Sequence, residues 1–373
     1  MQKNEVKDLT VGSPMKLILS FAIPMLFGFL FQQFYNMVDT IIVGKCLGVS
    51  ALAAVGSTGS INFMIIGFCT GACSGFAIPV AQKFGAGDYD GMRKFVANAG
   101  WLSAVFAAVM TTIVGFLCMR ILQWMNTPED IIHGAYDYIF VIFLGIPVTY
   151  LYNMLAGIIR SLGDSKTPVY FLLLSSLMNI ALDFFTILVL GMGVRGPALA
   201  TVISQGISAV LCLIYMIRHY PILHMKQGEW QPDGRMLCAL CGMGIPMGLQ
   251  YSITAIGTMI LQGAVNIFGS SVVAAFTAAS KVENLSTQTM PTLGTAIATY
   301  CGQNLGAGKY KRIYEGMRKG FFICIFISLA ASAICVFGGR FIVSWFVSNP
   351  SEEIFDYAMQ YLNTISFFML PLA

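Results

Sequence analysis

The chain has 373 residues, of which 57% are hydrophobic and only 10% are charged, and its formal net charge is +4. A soluble globular chain carries about 25% charged residues, so this composition excludes a soluble enzyme, a disordered chain, a secreted disulfide scaffold and a nucleic-acid-binding protein. The charges lie in short clusters between apolar runs of roughly 20 residues, the length that crosses a bilayer. The sequence therefore predicts a polytopic membrane protein.

Ten apolar segments are predicted to cross the membrane as helices. Transmembrane strands would alternate in segments of about ten residues, and the sequence has no such pattern. The predicted fold class is therefore all-α. The ten segments are 16–43, 51–81, 95–118, 134–158, 168–190, 196–217, 237–265, 272–299, 318–339 and 355 to the end.

The Lys and Arg residues of the short loops predict the orientation of the chain. When the N-terminus is placed in the cytoplasm, sixteen of the 21 Lys and Arg residues, Arg160 among them, fall in cytoplasmic segments. Only Lys45, Arg120, Arg195 and Arg340 fall in outer segments. Because cytoplasmic loops carry an excess of positive charge, we expect a multi-pass protein of the plasma (inner) membrane with a cytoplasmic N-terminus.

An internal repeat divides the chain into two lobes. Ile23–Met25 recurs as Ile245–Met247 at an offset of 222 residues, and Gly85–Gly87 recurs as Gly306–Gly308 at an offset of 221. Six predicted spans separate the copies, so both copies have the same orientation and form a parallel repeat of two six-helix bundles.

The repeat predicts an N-terminal lobe at residues 1–218, a cytoplasmic linker at 219–236 and a C-terminal lobe at 237–373. The second copy lacks a counterpart for the last part of the first. We therefore expect a C-terminally truncated form of a twelve-helix protein, with about ten helices present.

Four ionisable residues fall well inside predicted spans: Asp39, Asp183, Lys281 and Glu283. Each costs about 2.5–3.5 kcal/mol to insert, and such residues usually mark transport pathways. Lys281 and Glu283 are two positions apart on one helix, about 200° around its axis, so they are not expected to pair with each other. An ion pair with another helix and a functional role both stay open for these two.

Asp39 belongs to a polar stripe on the first span. At about 100° per residue, Gln32, Tyr35, Asn36 and Asp39 share one face of the helix. Such a stripe has to line protein or water, because lipid offers polar groups no partner.

Asp183 has polar neighbours on the fifth and sixth spans. Asn179 lies one turn before Asp183, and Thr201 and Gln205 lie one turn apart on the following span. No Lys or Arg lies within a predicted span of the first lobe, so its two carboxylates lack a counter-ion there. A carboxyl group is then protonated, or a cation such as Na⁺ binds, or the acids only join helices through hydrogen bonds.

Two segments resemble motifs of the multidrug and toxic compound extrusion (MATE) family. They are Gly302–Gly308, after the eighth span, and Arg160–Pro168, between the fourth and fifth spans. The resemblance implies two helical bundles around a V-shaped cavity. It also implies export of small amphiphilic, often cationic compounds, driven by inward flow of Na⁺ or H⁺ and without a cofactor.

Within this family, the chain is similar to the DinF-like branch. The residues that match the cation-coupling site of that branch, and that would be metal ligands if Na⁺ is the coupling ion, are Asp39, Asn179, Asp183 and Thr201. Tyr35 and Tyr138 match nearby polar positions. The NorM-like branch relies on C-lobe carboxylates, whereas this chain has Gln250 in its seventh span, which favours the N-lobe site.

The sequence therefore predicts a secondary active transporter that exports such compounds by cation-coupled antiport and alternating access. We expect a monomer in the bilayer without a nucleic-acid partner. One alternative is a flippase for lipid-linked oligosaccharides of the same superfamily, which would need a cationic groove that the first lobe lacks. A channel or a non-transporting scaffold is another, but the paired polar faces argue against it. An enzyme is not expected, because no nucleophile–base pair or metal-ligand spacing occurs in a span.

Overall fold

The structure is a computed structural model that describes residues 7–268, 270–287, 289–346 and 352–372. These residues are almost entirely α-helical and contain no β-strand. The predicted all-α fold class is thereby confirmed.

The helices before the polar segment at 220–233 form a first bundle. Its largest core is built from apolar side chains of the second to sixth helices, with Cys69, Ile139 and Tyr150 almost completely buried. A π-helical turn at Phe185–Val189 extends the seventh helix. The helices are α1 (Pro14–Leu47), α2 (Val49–Ser57), α3 (Gly59–Gly85), α4 (Tyr89–Trp124), α5 (Glu129–Leu144), α6 (Ile146–Ser161), α7 (Lys166–Phe184) and α8 (Arg195–His219).

The helices after this segment form a second bundle. In the described residues they are α9 (Gly234–Asn266), α10 (Ser270–Thr287), α11 (Thr289–Gly306), α12 (Tyr310–Ala333), α13 (Gly339–Phe346) and α14 (Glu352–Leu372). A π-helical turn at Ile334–Gly338 joins α12 to α13. Helices α10, α12, α13 and α14 enclose a separate core in which Ala279 and Leu362 are fully buried.

The long apolar helices agree with a membrane protein. Among the described residues, seven helices are long and apolar enough to cross a bilayer, and the pair α5–α6, bent by 46°, adds an eighth if it is one span. The segments predicted as spans at 272–299 and from 355 onward are helical but fall outside this set. Charged residues in α10 and acidic residues at the start of α14 lower their apolar character.

The sequence repeat corresponds to two equivalent turns. Helix α3 is followed by Gly87 with φ 70°, and α11 is followed by Gly308 with φ 67°. Glycine adopts this left-handed conformation without the steric cost that other residues carry. The repeated sequence thus builds the same helix-to-helix turn in both bundles.

The two bundles touch along α3 and α9 through small residues. A Cβ atom at Gly75 would lie 2.5 Å from the Cα atom of Gly244, and Ser252 Oγ donates to the Met64 carbonyl at 3.2 Å. The bundles also meet at the end that carries the predicted cytoplasmic loops, where a Cβ atom at Gly85 on α3 would overlap the Gln303 carbonyl oxygen on α11.

The N-terminal segment lies between the bundles at the end where they meet. Leu9 is fully buried, and its backbone N–H donates to Gln303 Oε1 on α11 at 2.9 Å. Gln303 Nε2 donates to the Ser161 carbonyl on α6 at 2.8 Å. One buried glutamine of the second bundle thus holds both the N-terminal segment and the first bundle.

The segment between the bundles packs on α4 through a buried ion pair. Arg93 donates to both carboxylate oxygens of Glu229, from Nε at 2.8 Å and from Nη2 at 2.9 Å. Arg93 also contacts Asp90. The hydrogen bond from Arg93 is the main reason that the pKa of Glu229 lies below its usual value. The linker is thereby fixed to the first bundle.

Candidate functional site

Two carboxyl groups approach each other inside the first bundle. Asp39 lies on α1 and Asp183 on the last turn of α7, and their carboxyl groups are within hydrogen-bonding reach of each other. Asp183 is fully buried, and the rings of Tyr35 and Tyr138 lie beside the two acids. Because two ionised carboxylates repel each other at short range, this arrangement needs a proton or a cation.

An amide and a hydroxyl group extend the pair of acids. Asn179, one turn before Asp183, is 2% exposed and donates from Nδ2 to Thr201 Oγ1 on α8 at 3.2 Å. Thr201 Oγ1 in turn donates to the Pro197 carbonyl at 3.0 Å. The structure thus brings Asp39, Asn179, Asp183 and Thr201 together, and we refer to these four residues as the oxygen cluster.

Four buried oxygen atoms of the oxygen cluster have no hydrogen-bond partner among the residues that the structure describes: Asp39 Oδ1, Asn179 Oδ1 and both carboxylate oxygens of Asp183. Buried polar atoms are normally paired, and an uncompensated buried charge is costly. Carboxylate, amide and hydroxyl oxygens suit hard cations. The cluster can therefore hold a small hard cation or share a proton. No group of three or more His, Cys, Asp and Glu that could hold a metal occurs among the described residues.

A π-helical turn shapes the end of α7 beside this cluster. Thr186 Oγ1, in that turn, donates to the Asp183 carbonyl at 3.2 Å. A Cβ atom at Gly196 would lie 2.9 Å from Thr186 Oγ1, so a glycine here lets the start of α8 pack closely against α7. Single π turns inside helices are frequently found at functional sites.

A cavity with both polar and apolar walls lies next to the oxygen cluster. Its volume is about 160 Å³, or about 1120 Å³ with the open space at its mouth. Asn179 belongs both to the oxygen cluster and to the cavity wall. The other polar residues that line it include Gln32, Tyr35, Thr149, Tyr152, Asn153, Arg160, Ser175, Ser176, Gln205 and Tyr251.

The predicted supporting residues fall into two groups. Gln32, Tyr35 and Gln205 line the cavity, as expected from the polar stripes. Asn36 is exposed, donates to Gln33 Oε1 at 3.2 Å and is not among the residues that line the cavity.

Arg160, which is predicted from the sequence to lie in a segment between spans, belongs to a helix in the structure. Arg160 lies in the last turn of α6 and lines the cavity, so the first bundle does have a basic residue at its interior. A signal for it was present in the spacing of Thr149, Asn153 and Arg160, which share one face of a helix with about 3.6 residues per turn. The motif Arg160–Pro168 thus begins inside the last turn of α6.

The second-lobe candidates are arranged differently. Glu283 Oε2 accepts a hydrogen bond from the Tyr361 hydroxyl on α14 at 2.6 Å, so its partner lies on a helix that is present. Gln250 is exposed on α9 and is not among the residues lining the cavity. Lys281 belongs to α10, and its side chain lies outside the part of the chain that the structure describes.

Sequence comparison relates the chain to membrane transporters. The MatE family model matches residues 24–185 and 246–373. The probable multidrug resistance protein YpnP of Bacillus subtilis is 30% identical over 364 residues, which are 97% of this chain and 80% of that protein. The probable multidrug resistance protein NorM of Thermotoga maritima is 22% identical over 98% of this chain and 80% of its own length.

Structure comparison gives the same relationship at the level of the fold. The chain superimposes on the outward-facing conformation of a multidrug resistance MATE family transporter of the MOP superfamily with a TM-score of 0.90. The match covers 99% of this chain and 81% of the other, at 24% identity. The predicted V-shaped arrangement of two bundles therefore has a close counterpart among solved structures.

Proposed function

The chain belongs to the MATE family, whose members are transporters and not enzymes, and from this premise we propose that it exports small amphiphilic compounds by cation-coupled antiport. The coupling ion is Na⁺ or H⁺, and the site that takes it is the oxygen cluster. The protein acts as a monomer in the plasma membrane with its N-terminus in the cytoplasm. The relatives described above give no support to the flippase alternative, which is not carried further.

The observation that carries this proposal is the set of partnerless buried oxygens on Asp39, Asn179 and Asp183. Helix-joining acids would accept hydrogen bonds from the opposite helix, whereas here the acids face each other. A bound Na⁺ or a shared proton removes the repulsion between them. Because the oxygen cluster is stable only with a cation or a proton bound, its state depends on the concentration of that ion on the side to which it is open. An antiporter needs this dependence.

Residues that belong to both the cavity and the surroundings of the oxygen cluster couple cation binding to substrate binding. Tyr35 lies beside both acids and also lines the cavity, and Asn179 belongs to both. A cation that binds between Asp39 and Asp183 shifts α1, and with it the position of Tyr35 in the cavity wall. Pro24 lies inside α1 and removes one backbone hydrogen bond, which makes this helix easier to bend. Cation entry and substrate release are then linked.

The test is transport of a fluorescent rhodamine by the purified protein in liposomes, with Na⁺ and pH gradients imposed separately. We expect efflux to follow one gradient, and to fall about tenfold or more in Asp39→Asn and in Asp183→Asn. Asp137→Asn is the matched control, because Asp137 is a partly exposed acid whose carboxylate pairs with Arg195 at 2.7 Å. It should retain nearly full efflux.

Two results would contradict the proposal. Efflux that continues unchanged in both acid variants would assign the acids to helix packing alone. Absence of efflux in the wild-type protein under either gradient would remove the antiport itself.

A further inference from the structure

Arg160 lies in the wall of the cavity and has no anionic partner in the part of the chain that the structure describes. Its guanidinium group has five N–H donors and stays charged at any physiological pH. Within the described residues its side chain donates no hydrogen bond and forms no ion pair, and the residue is partly exposed where it lines the cavity. An arginine held this way is costly for the protein unless an anion joins it.

The neighbours of Arg160 do not supply that anion. The groups that face it are the phenols of Tyr152 and Tyr251 and the thiols of Cys73 and Cys212, from α6, α9, α3 and α8. None of these groups is charged in a buried, apolar setting.

The acid nearest to Arg160 along the chain is occupied elsewhere. Asp164 Oδ1 accepts from the backbone N–H groups of Lys166 and Thr167 at 2.8 and 3.1 Å. Its Oδ2 accepts from the Tyr220 hydroxyl at 2.7 Å. Both oxygens of Asp164 are therefore engaged in the turn between α6 and α7, and the guanidinium of Arg160 remains available to a ligand.

The cavity has two chemically different ends. Thr149 and Arg160 both line it and are eleven residues apart on α6, which corresponds to about 16 Å at 1.5 Å per residue. Pro168 and Asn179 are spaced in the same way along α7. Arg160 and Pro168 thus mark one end, and Asn179 marks the other. A ligand along this axis meets the Arg160 guanidinium at one end and the neutral Asn179 amide at the other.

We propose that Arg160 binds a carboxylate of the transported compound, so that the protein prefers amphiphiles carrying a free carboxylate over purely cationic ones. The planar fork of arginine matches the two oxygens of a carboxylate. One guanidinium balances one carboxylate, whereas a phosphate dianion would leave a net negative charge in the cavity wall. The Tyr251 hydroxyl makes no hydrogen bond within the described residues and can donate to the same group.

Because Tyr251 belongs to the second bundle and Arg160 to the first, a carboxylate held by both would connect the bundles at the closed end of the cleft. This inference deepens the proposed function and rests on it for the transport readout. Binding provides a readout that is independent of transport.

The experiment uses a rhodamine with a free benzoate carboxyl group and its methyl ester, which differ in the charge of that group and by one methyl group. Binding of each dye to purified protein is measured by fluorescence polarisation, and efflux of each is measured in liposomes. The variants are Arg160→Gln, Arg160→Lys and Lys166→Gln. Lys166 is the matched control, because it is exposed, lies six residues away and does not line the cavity.

We expect the wild-type protein to bind the acid more tightly than the ester. Arg160→Gln should lower this acid-to-ester preference about tenfold, which is the loss of one charge-assisted contact. Arg160→Lys should retain part of it, since the charge stays and the fork is lost. Lys166→Gln should leave the preference as in the wild type.

Three results overturn the inference: no preference for the acid in the wild type, an unchanged preference in Arg160→Gln, or equal losses for acid and ester in a folded Arg160→Gln protein. The last result would show a purely structural role for Arg160. Acid-selective binding without gradient-driven efflux would instead support the inference and contradict the proposed antiport, so the two failures are distinguishable.

Discussion

The two bundles differ in how they treat an acid inside a predicted span. In the first bundle, Asp183 is fully buried, and neither of its carboxylate oxygens has a hydrogen-bond partner. In the second bundle, Glu283 accepts a hydrogen bond of 2.6 Å from Tyr361. The first arrangement is costly unless a cation or a proton arrives, whereas the second is already satisfied. An acid in a span is therefore informative only together with its partners.

The same contrast appears at the two repeated turns. Asp88 accepts a hydrogen bond from Lys83 Nζ, which lowers the pKa of Asp88. It also accepts from the Gly91 N–H at 2.9 Å and thereby caps the start of α4. Its counterpart in the second copy is Lys309, which donates to Thr10 Oγ1 at 2.9 Å. The same backbone turn thus caps the start of a helix in the first bundle and holds the N-terminal segment in the second. The two copies share the backbone conformation of the turn but differ in the contacts of its side chains.

The largest expected effect compares the two acids directly. Asp183→Asn should reduce gradient-driven efflux about tenfold or more, whereas Glu283→Gln should stay within about twofold, because a glutamine oxygen still accepts from Tyr361. Transport in liposomes, normalised to the amount of inserted protein, measures both. Equal losses in the two variants would remove the functional difference between the bundles.

The next effect concerns the linker that connects them. Glu229→Gln should lower the free energy of unfolding by about 3 kcal/mol, because it removes the buried carboxylate partner of Arg93 and leaves only the exposed Asp90. The pKa of Glu229 is lowered by Arg93, so the contribution of this pair is complete above the ordinary pKa of 4.5 and is lost as the pH falls from there through the lower pKa of the folded state. Denaturant unfolding at several pH values should show a weaker acid dependence in the variant. An unchanged acid dependence would mean that the pair is not the titrating element.

A smaller loss is expected where the bundles join. Gln303→Ala leaves the buried Leu9 N–H and the Ser161 carbonyl without their partner, at about 1 kcal/mol or more for each group. The thermal unfolding temperature should fall accordingly. Gln250→Ala removes the same side chain from an exposed position of the second bundle and should change it little. A similar shift in both variants would contradict a joining role for Gln303.

The smallest effect tests the equivalence of the two turns. Gly87→Ala and Gly308→Ala should each lower the free energy of unfolding by about 1 kcal/mol, because both glycines have a positive φ that strains an alanine. An added Cβ atom would meet no described atom at either position, so the strain of the backbone is the whole effect. Gly294→Ala, in open space within α11, should instead be neutral or slightly stabilising. Unequal losses of unfolding free energy in the two variants, measured by denaturant unfolding, would contradict the equivalence of the two turns.

Much of the fold follows from short-range information. Apolar runs of membrane-spanning length, the parallel repeat and the polar stripes are all properties of sequence spacing, and the structure confirms the helical fold that they predict. The spacing of Asn179 and Asp183 also places these residues on one helix face without any knowledge of the tertiary structure. Membrane helices are predictable in this way because lipid forces each segment to satisfy its own backbone hydrogen bonds.

Partnerships between helices could not be predicted in this way. The sequence contains Glu283 and Tyr361 far apart, and only the packing of α10 on α14 pairs them. It places Arg160 beside a loop motif, and only the meeting of α6 with α3, α8 and α9 makes it part of a cavity wall. Whether a buried charge is paired depends on which faces of distant helices meet. The sequence by itself therefore determined the helices and their polar faces, while the tertiary structure decided which charges are left for a cation and a substrate.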